Sequence, residues 1–217
     1  MRQLCVHKIS TEEENPVITT ELYDCTTLYN LISDYASRHG YTETPAALDF
    51  ALKSHEGQYR SGKNHVPYIC HPMMVAVHAI VLGFGDDMTL AACLLHDVLE
   101  DCGVDRDDLP VKEETRRVVE LLTRDRDHLD EEGRRIYYER ISENPAAVIV
   151  KLLDRNNNIS DMPTSFSRRK MESYLKETRK WILPLFNKAK EYFPDKTAQV
   201  MVLQYHIESI MEAVEAL

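Results

Sequence analysis

The sequence predicts an all-α protein, a single-domain helical bundle behind an irregular N-terminal leader. Three observations carry that expectation. Only 7 glycines occur in 217 residues. Alanine, leucine, glutamate, lysine and methionine, all strong helix formers, recur along the chain. Apolar residues return at three- and four-residue steps, the period of a helix with one buried face. The length suits one sizeable core.

Residues 1–24 mix threonine, glutamate, Pro16 and isolated aliphatics without a helical period, and form the leader. Leu28, Leu31, Ile32 and Tyr35 give the first apolar stripe, closed by Gly40. Thr44-Pro45 is a cap followed by proline in the first turn, and Leu48, Ala51 and Leu52 carry that helix to Gly57. Gly62, Asn64 and Pro67 make 58–70 a loop. Helices are expected over 72–82 and 87–101, then shorter ones over 113–124 and 130–142 beyond a polar, acidic stretch. Pro145 opens a helix that runs on to Asn158, and a long helix over 168–192 is expected to kink at Pro184.

The last helix, from about residue 195, places Val200, Leu203, Ile207, Ile210, Val214 and Leu217 on one seam. That seam is expected to pack on its own domain. A partner helix in a homo-oligomer is the alternative use, and the heptads are too few to require a coiled coil. The implied organisation is a leader with the first helix (1–40), a core (41–165) and C-terminal helices packing on that core (166–217).

The net charge of −10, from 26 basic against 36 acidic residues, argues against a general nucleic-acid binder, which needs a basic stripe. A small anionic substrate would need local cations or a metal. Cys5, Cys25, Cys70, Cys93 and Cys102 contain no Cys-x-x-Cys pair and read as reduced thiols. Glu12, Glu13 and Glu14 leave no signal-peptide core behind Met1. The longest apolar run, 73–82, is interrupted by His78 and too short to span a bilayer. A soluble, cytoplasmic protein with no membrane partner is expected.

The chemistry concentrates in Leu94-Leu95-His96-Asp97-Val98-Leu99-Glu100-Asp101. On a helix, His96 and Glu100 are four apart, as are Asp97 and Asp101, so both pairs share one surface. Burying an imidazole and three carboxylates beside leucines is costly unless a cation or tight hydrogen bonds compensate. A bound metal is the simplest compensation, and His71 before Pro72 and Asp154 behind an aliphatic run are further ligands. Two imidazoles and two carboxylates form a mixed N/O set with coordination positions left open, which suits hydrolysis and not a closed structural site.

Four ordered blocks resemble the HD-type phosphohydrolases, and within them the hydrolase domain of the RelA/SpoT alarmone enzymes. They are His55-Glu56-Gly57-Gln58-Tyr59-Arg60, Pro67-Tyr68-Ile69-Cys70-His71-Pro72, the run 91–101, and Val150-Lys151-Leu152-Leu153-Asp154-Arg155 with Asn158. The resemblance spans roughly residues 44–165. It implies an HD-type bundle, a divalent metal cofactor with Mn²⁺ as first choice, and removal of the 3′-pyrophosphate of (p)ppGpp to give GDP or GTP. By position, His71, His96, Asp97 and Asp154 would hold the metal, and Glu100 and Asp101 would fill the acid–base positions. Arg60 would approach the guanine and Asn158 would line the nucleotide site.

Two departures stand out. The family's Arg-Lys pair reads Arg60-Ser61-Gly62-Lys63 here, which brings Ser61 and Lys63 into the expected substrate-binding set, Lys63 as the substitute cation. The usual Asp-Arg-Leu-His-Asn reads Asp154-Arg155-Asn156-Asn157-Asn158, replacing an aliphatic and a histidine beside the pocket. Nothing in the chain resembles the synthetase half of the long alarmone enzymes, so a stand-alone small hydrolase is expected. Its partner is then a guanosine polyphosphate.

Plainer roles are assigned elsewhere: His55 to a loop-fixing hydrogen bond, His78 to packing, Lys151 to a structural ion pair, and Arg168, Arg169 and Lys170 to a solvated helix end. Two alternatives keep the same pocket. One is hydrolysis of a related nucleotide, (p)ppApp or the 2′-phosphate of NADPH; the other is a non-catalytic nucleotide-sensing module. The intact acidic set disfavours the sensor, which has no need of water-activating carboxylates.

Overall fold

The computed structural model describes residues 24–61, 65–125 and 130–216. The leader over 1–23, with Cys5, and the loop residue Lys63 lie outside the described residues. Among the described residues the chain is helical, and its one extended pairing is a bridge between Tyr59 and Pro67. The helices are α1 (Cys25–His39), α2 (Glu43–Ser54), α3 (Cys70–Val81), α4 (Asp87–Leu95), the single turn α5 (Val98–Asp101) and α6 (Glu113–Leu122). After them come α7 (Glu131–Ser142), α8 (Pro145–Ser165), α9 (Arg168–Glu177), α10 (Leu185–Tyr192) and α11 (Thr197–Glu215).

Helix α8 is the post around which the others stand. Asn144 caps it through Ala147 N–H and Pro145 occupies its first turn. Ala146, Ala147, Val148, Ile149, Val150, Leu152 and Leu153 are all buried, so the helix is apolar on every side over 146–150. Such a helix belongs in the middle of a core. Helices α3, α4, α6, α7, α10 and α11 pack on it. Val200, Leu203 and Ile207 of α11 are buried, with α11 lying on α8 and α10. The apolar seam therefore packs inside its own domain.

Several boundaries differ from expectation, each for a tertiary reason. Helix α2 starts at Glu43, ahead of Thr44-Pro45, because the Asp87 carboxylate accepts from the N–H groups of Thr42, Glu43 and Thr44 at 2.9, 3.1 and 2.7 Å. That cap comes from α4 and is invisible to local sequence. Leu31 is 40% exposed, so Leu28, Ile32 and Ala36 form the buried stripe of α1. The long helix over 168–192 breaks before Pro184. Proline lacks the N–H that Lys180 carbonyl would accept, and the backbone widens into a π turn over Thr178–Ile182.

The reading of all cysteines as reduced is corrected. Helix α1 packs on α3, which sets the Cys25 and Cys70 Cα atoms 5.6 Å apart in a disulfide closed across 45 residues. Spacing along the chain carries no sign of this pairing. Cys93 and Cys102 are free thiols.

Candidate metal centre and active site

The helix expected over 87–101 is interrupted where its chemistry lies. His96 and Asp97 form a turn between α4 and α5. In an unbroken helix the Cys93 carbonyl would accept from Asp97 N–H. Here it accepts from His96 Nδ1 at 2.7 Å. The competing side-chain bond ends α4 and also fixes the imidazole tautomer, with the hydrogen on Nδ1 and the lone pair on Nε2.

His71 reaches the same point from the first turn of α3. Its Nδ1 donates to Asn157 Oδ1 of α8 at 2.6 Å, which again leaves the lone pair on Nε2. Both Nε2 atoms are buried and have no hydrogen-bond partner. His71 Nε2 lies 3.5 Å from Asp97 Oδ2 and 3.3 Å from Asp154 Oδ1. For His96 Nε2 the two distances are 3.0 and 3.7 Å. Ligand atoms of His71, His96 and Asp97 fall within 4.8 Å of one another, and the Asp154 oxygen closes the group.

The electrostatics describe a site built for positive charge. Burial alone would raise the Asp97 carboxyl, but His96 and then His71 hold it far below the carboxylate range. Asp154 is likewise held down against its burial, chiefly by the Lys151 ammonium and then by both imidazoles. Burial would deprotonate His96, yet Asp97 and Asp154 outweigh it and raise its pKa. The two carboxylates thus favour positive charge at the imidazole nitrogens, and a divalent cation would compete with a proton for the same lone pairs. A hard or borderline divalent metal fits these donors.

The other expected residues surround this group. Glu100 Oε2 accepts from the backbone N–H of Arg124 at 3.2 Å, and Asp101 Oδ2 accepts from the Tyr68 hydroxyl at 3.3 Å. Arg60 reaches in from the loop. Its guanidinium donates to Asn158 Oδ1 at 3.0 Å and Asp161 Oδ2 at 2.9 Å. Asn158 in turn donates to Asp154 Oδ1. The loop is closed at its base by Arg60 N–H on Val66 carbonyl and Tyr68 N–H on Gln58 carbonyl. Ser61 sits exposed on that loop.

Three contributors were not singled out by sequence as parts of the centre. Tyr68 donates to Asp97 Oδ2 at 2.7 Å, and Lys151 pairs with Asp154 Oδ2 at 2.9 Å. Asn157, read from the sequence as a change beside the nucleotide pocket, accepts from His71 Nδ1 and orients that imidazole. Helical spacing was the available signal for the last two, since Lys151, Asp154 and Asn157 recur every three residues on α8. His55 does fix its loop, through Gln58 Oε1 at 2.8 Å.

An all-helical protein with two imidazoles and two carboxylates converging from three separated helical segments has the architecture of an HD-type metal-dependent hydrolase. No family model matches the chain. Individual relatives do. Human guanosine-3′,5′-bis(diphosphate) 3′-pyrophosphohydrolase MESH1 is 33% identical over 136 residues, 59% of this chain and 76% of that protein. The Aquifex aeolicus guanosine-3′,5′-bis(diphosphate) 3′-pyrophosphohydrolase is 32% identical over 164 residues, 73% of this chain and 23% of that longer protein. A solved structure described as a metazoan ortholog of SpoT that hydrolyses ppGpp superposes with a TM-score of 0.65 at 22% identity, covering 81% of this chain and 97% of that one. The chain belongs to the guanosine-3′,5′-bis(diphosphate) 3′-pyrophosphohydrolase family.

Proposed function

We propose that this chain hydrolyses the 3′-pyrophosphate of (p)ppGpp, releasing GDP or GTP and pyrophosphate, with Mn²⁺ as its metal. The observation that carries this reading is the pair of buried, unpartnered Nε2 atoms facing Asp97 and Asp154 in a member of that family. His71, His96, Asp97 and Asp154 are the metal-holding set. The bound cation supplies Lewis acidity toward a phosphoryl oxygen and lowers the pKa of water.

The remaining steps belong to the chain's own groups. Glu100, steadied by Arg124 N–H, takes or steers the proton of the attacking water, and Asp101 shares that work across the Tyr68 hydroxyl. Tyr68 holds Asp97 in place through its short hydrogen bond. Arg60 exchanges its contacts with Asn158 and Asp161 for the guanine, and Asn158, Ser61 and Lys63 complete the nucleotide site. Residues 41–165 form the catalytic core.

Product analysis tests this. Manganese-loaded protein incubated with ppGpp should release pyrophosphate and GDP. Orthophosphate from NADPH, faster turnover of ppApp, or tight ppGpp binding with no product would each replace this reading by another.

A further inference from the structure

Lys151 is a buried cation to which the reaction above gives no task. Its side chain is only 12% exposed, and its Nζ lies 2.9 Å from Asp154 Oδ2. Lysine is rarely buried without a partner of this kind. The other oxygen of the same carboxylate, Oδ1, faces the Nε2 atoms of His71 and His96 at 3.3 and 3.7 Å. One oxygen is therefore occupied by an ammonium, and the other, which also accepts from Asn158 Nδ2, is aimed at the metal position. The three-residue step along α8 brings this contact about, and the Tyr137 ring lies 5.7 Å from Nζ.

The charge count gives the contact its meaning. Asp97 and Asp154 supply the negative charge at the metal position, and the Lys151 ammonium on Asp154 offsets part of it. A fixed positive charge this close to a divalent cation repels it, and more strongly in a partly desolvated site than in water.

We propose that Lys151 is a positioning residue that confines Asp154 to one metal-ligating oxygen and weakens cation binding so that the bound metal stays strongly Lewis acidic. Without the ammonium, Asp154 is free to offer both oxygens and its full charge. The cation is then held more tightly and draws less on the substrate's phosphoryl oxygen. A lysine serving only to brace α8 predicts the opposite sign, because losing the brace lets Asp154 wander and loosens the metal. Outer contacts of this kind are commonly worth about 10- to 100-fold in metal affinity or activity.

The inference rests on the metal reading above, and its primary measurement needs no nucleotide. Mn²⁺ alone is titrated into the full chain by calorimetry or by loss of the free-ion paramagnetic signal, for the wild type, Lys151→Gln and Lys151→Arg. Lys151→Met keeps the stem's packing and takes the place of the glutamine variant if that one does not fold. The expected result is Mn²⁺ binding tighter by about three- to tenfold in the neutral variant, with ppGpp turnover reduced at least about tenfold, and recovery of both toward wild type in Lys151→Arg. Weaker or unchanged Mn²⁺ binding in the neutral variant overturns the role of Lys151 while leaving the metal centre standing. A wild type that takes up no Mn²⁺ overturns both.

Discussion

Asp154 and Arg155 are neighbours on α8, yet each anchors a charged cluster of opposite character. Around Arg155 the charges are closed on one another. Its guanidinium donates to Glu177 Oε1 at 2.7 Å and Thr178 Oγ1 at 3.1 Å, and stacks 3.8 Å from the Tyr174 ring. Arg124 and the Tyr138 hydroxyl donate to the same Glu177. Around Asp154 the set is left open: the buried Nε2 atoms of His71 and His96 have no hydrogen-bond partner and face the Asp97 and Asp154 carboxylates. Burial is comparable for the two, so depth in the core does not tell a site from a scaffold. What differs is how the charges are paired: Arg155 meets Glu177 directly, whereas two buried imidazole nitrogens face carboxylates with no hydrogen bond between them, and such a set is the one that demands a ligand.

The clusters also touch, through Arg124, whose side chain is bound into the closed one while its N–H holds Glu100 of the open one. The largest expected effect breaks the open side. Asp97→Ala should lose Mn²⁺ and fall to background turnover, read by metal titration and product release. Next, Glu100→Gln should slow the chemical step by about 10²- to 10⁴-fold with Mn²⁺ still bound; an unchanged rate would remove Glu100 from proton handling.

On the closed side the expected damage is to stability. Arg155→Met strips a buried charge pair and should cost about 3–5 kcal/mol in denaturant unfolding, while the folded fraction still binds Mn²⁺. The smallest effect concerns acid. Burial would raise the Glu177 carboxyl, but Arg155 and Arg124 bring it from the ordinary 4.5 down to about 2. A carboxyl depressed in the folded state stabilises the fold above its unfolded pKa, and that contribution is lost as pH falls through the folded value. Wild-type urea midpoints should therefore drop between pH 4.5 and about 2, with a shallower drop in Glu177→Gln.

The contrast between the clusters was only partly legible in the chain. Candidate metal ligands could be named because His96-Asp97, His71-Pro72 and Asp154-Arg155 carry a family pattern in fixed order. The partners that tune them could not. Asn157 looks like a pocket substitution until α8 is set against α3, and Tyr68 is one tyrosine among 11 until its hydroxyl is seen on Asp97. The helix break at His96 escaped for a related reason. It depends on one side-chain bond to Cys93 carbonyl, which competes with the backbone on nearly equal terms, so periodicity across 87–101 reads as continuous.

Sequence by itself determined the helical class and the residue types of the candidate metal centre, because periodicity and donor chemistry are local properties. Tertiary structure alone decided which cysteines meet, where α2 begins under the Asp87 cap, and which charges are closed off. Those outcomes depend on groups far apart in the chain being brought within bonding distance, and only packing fixes such distances.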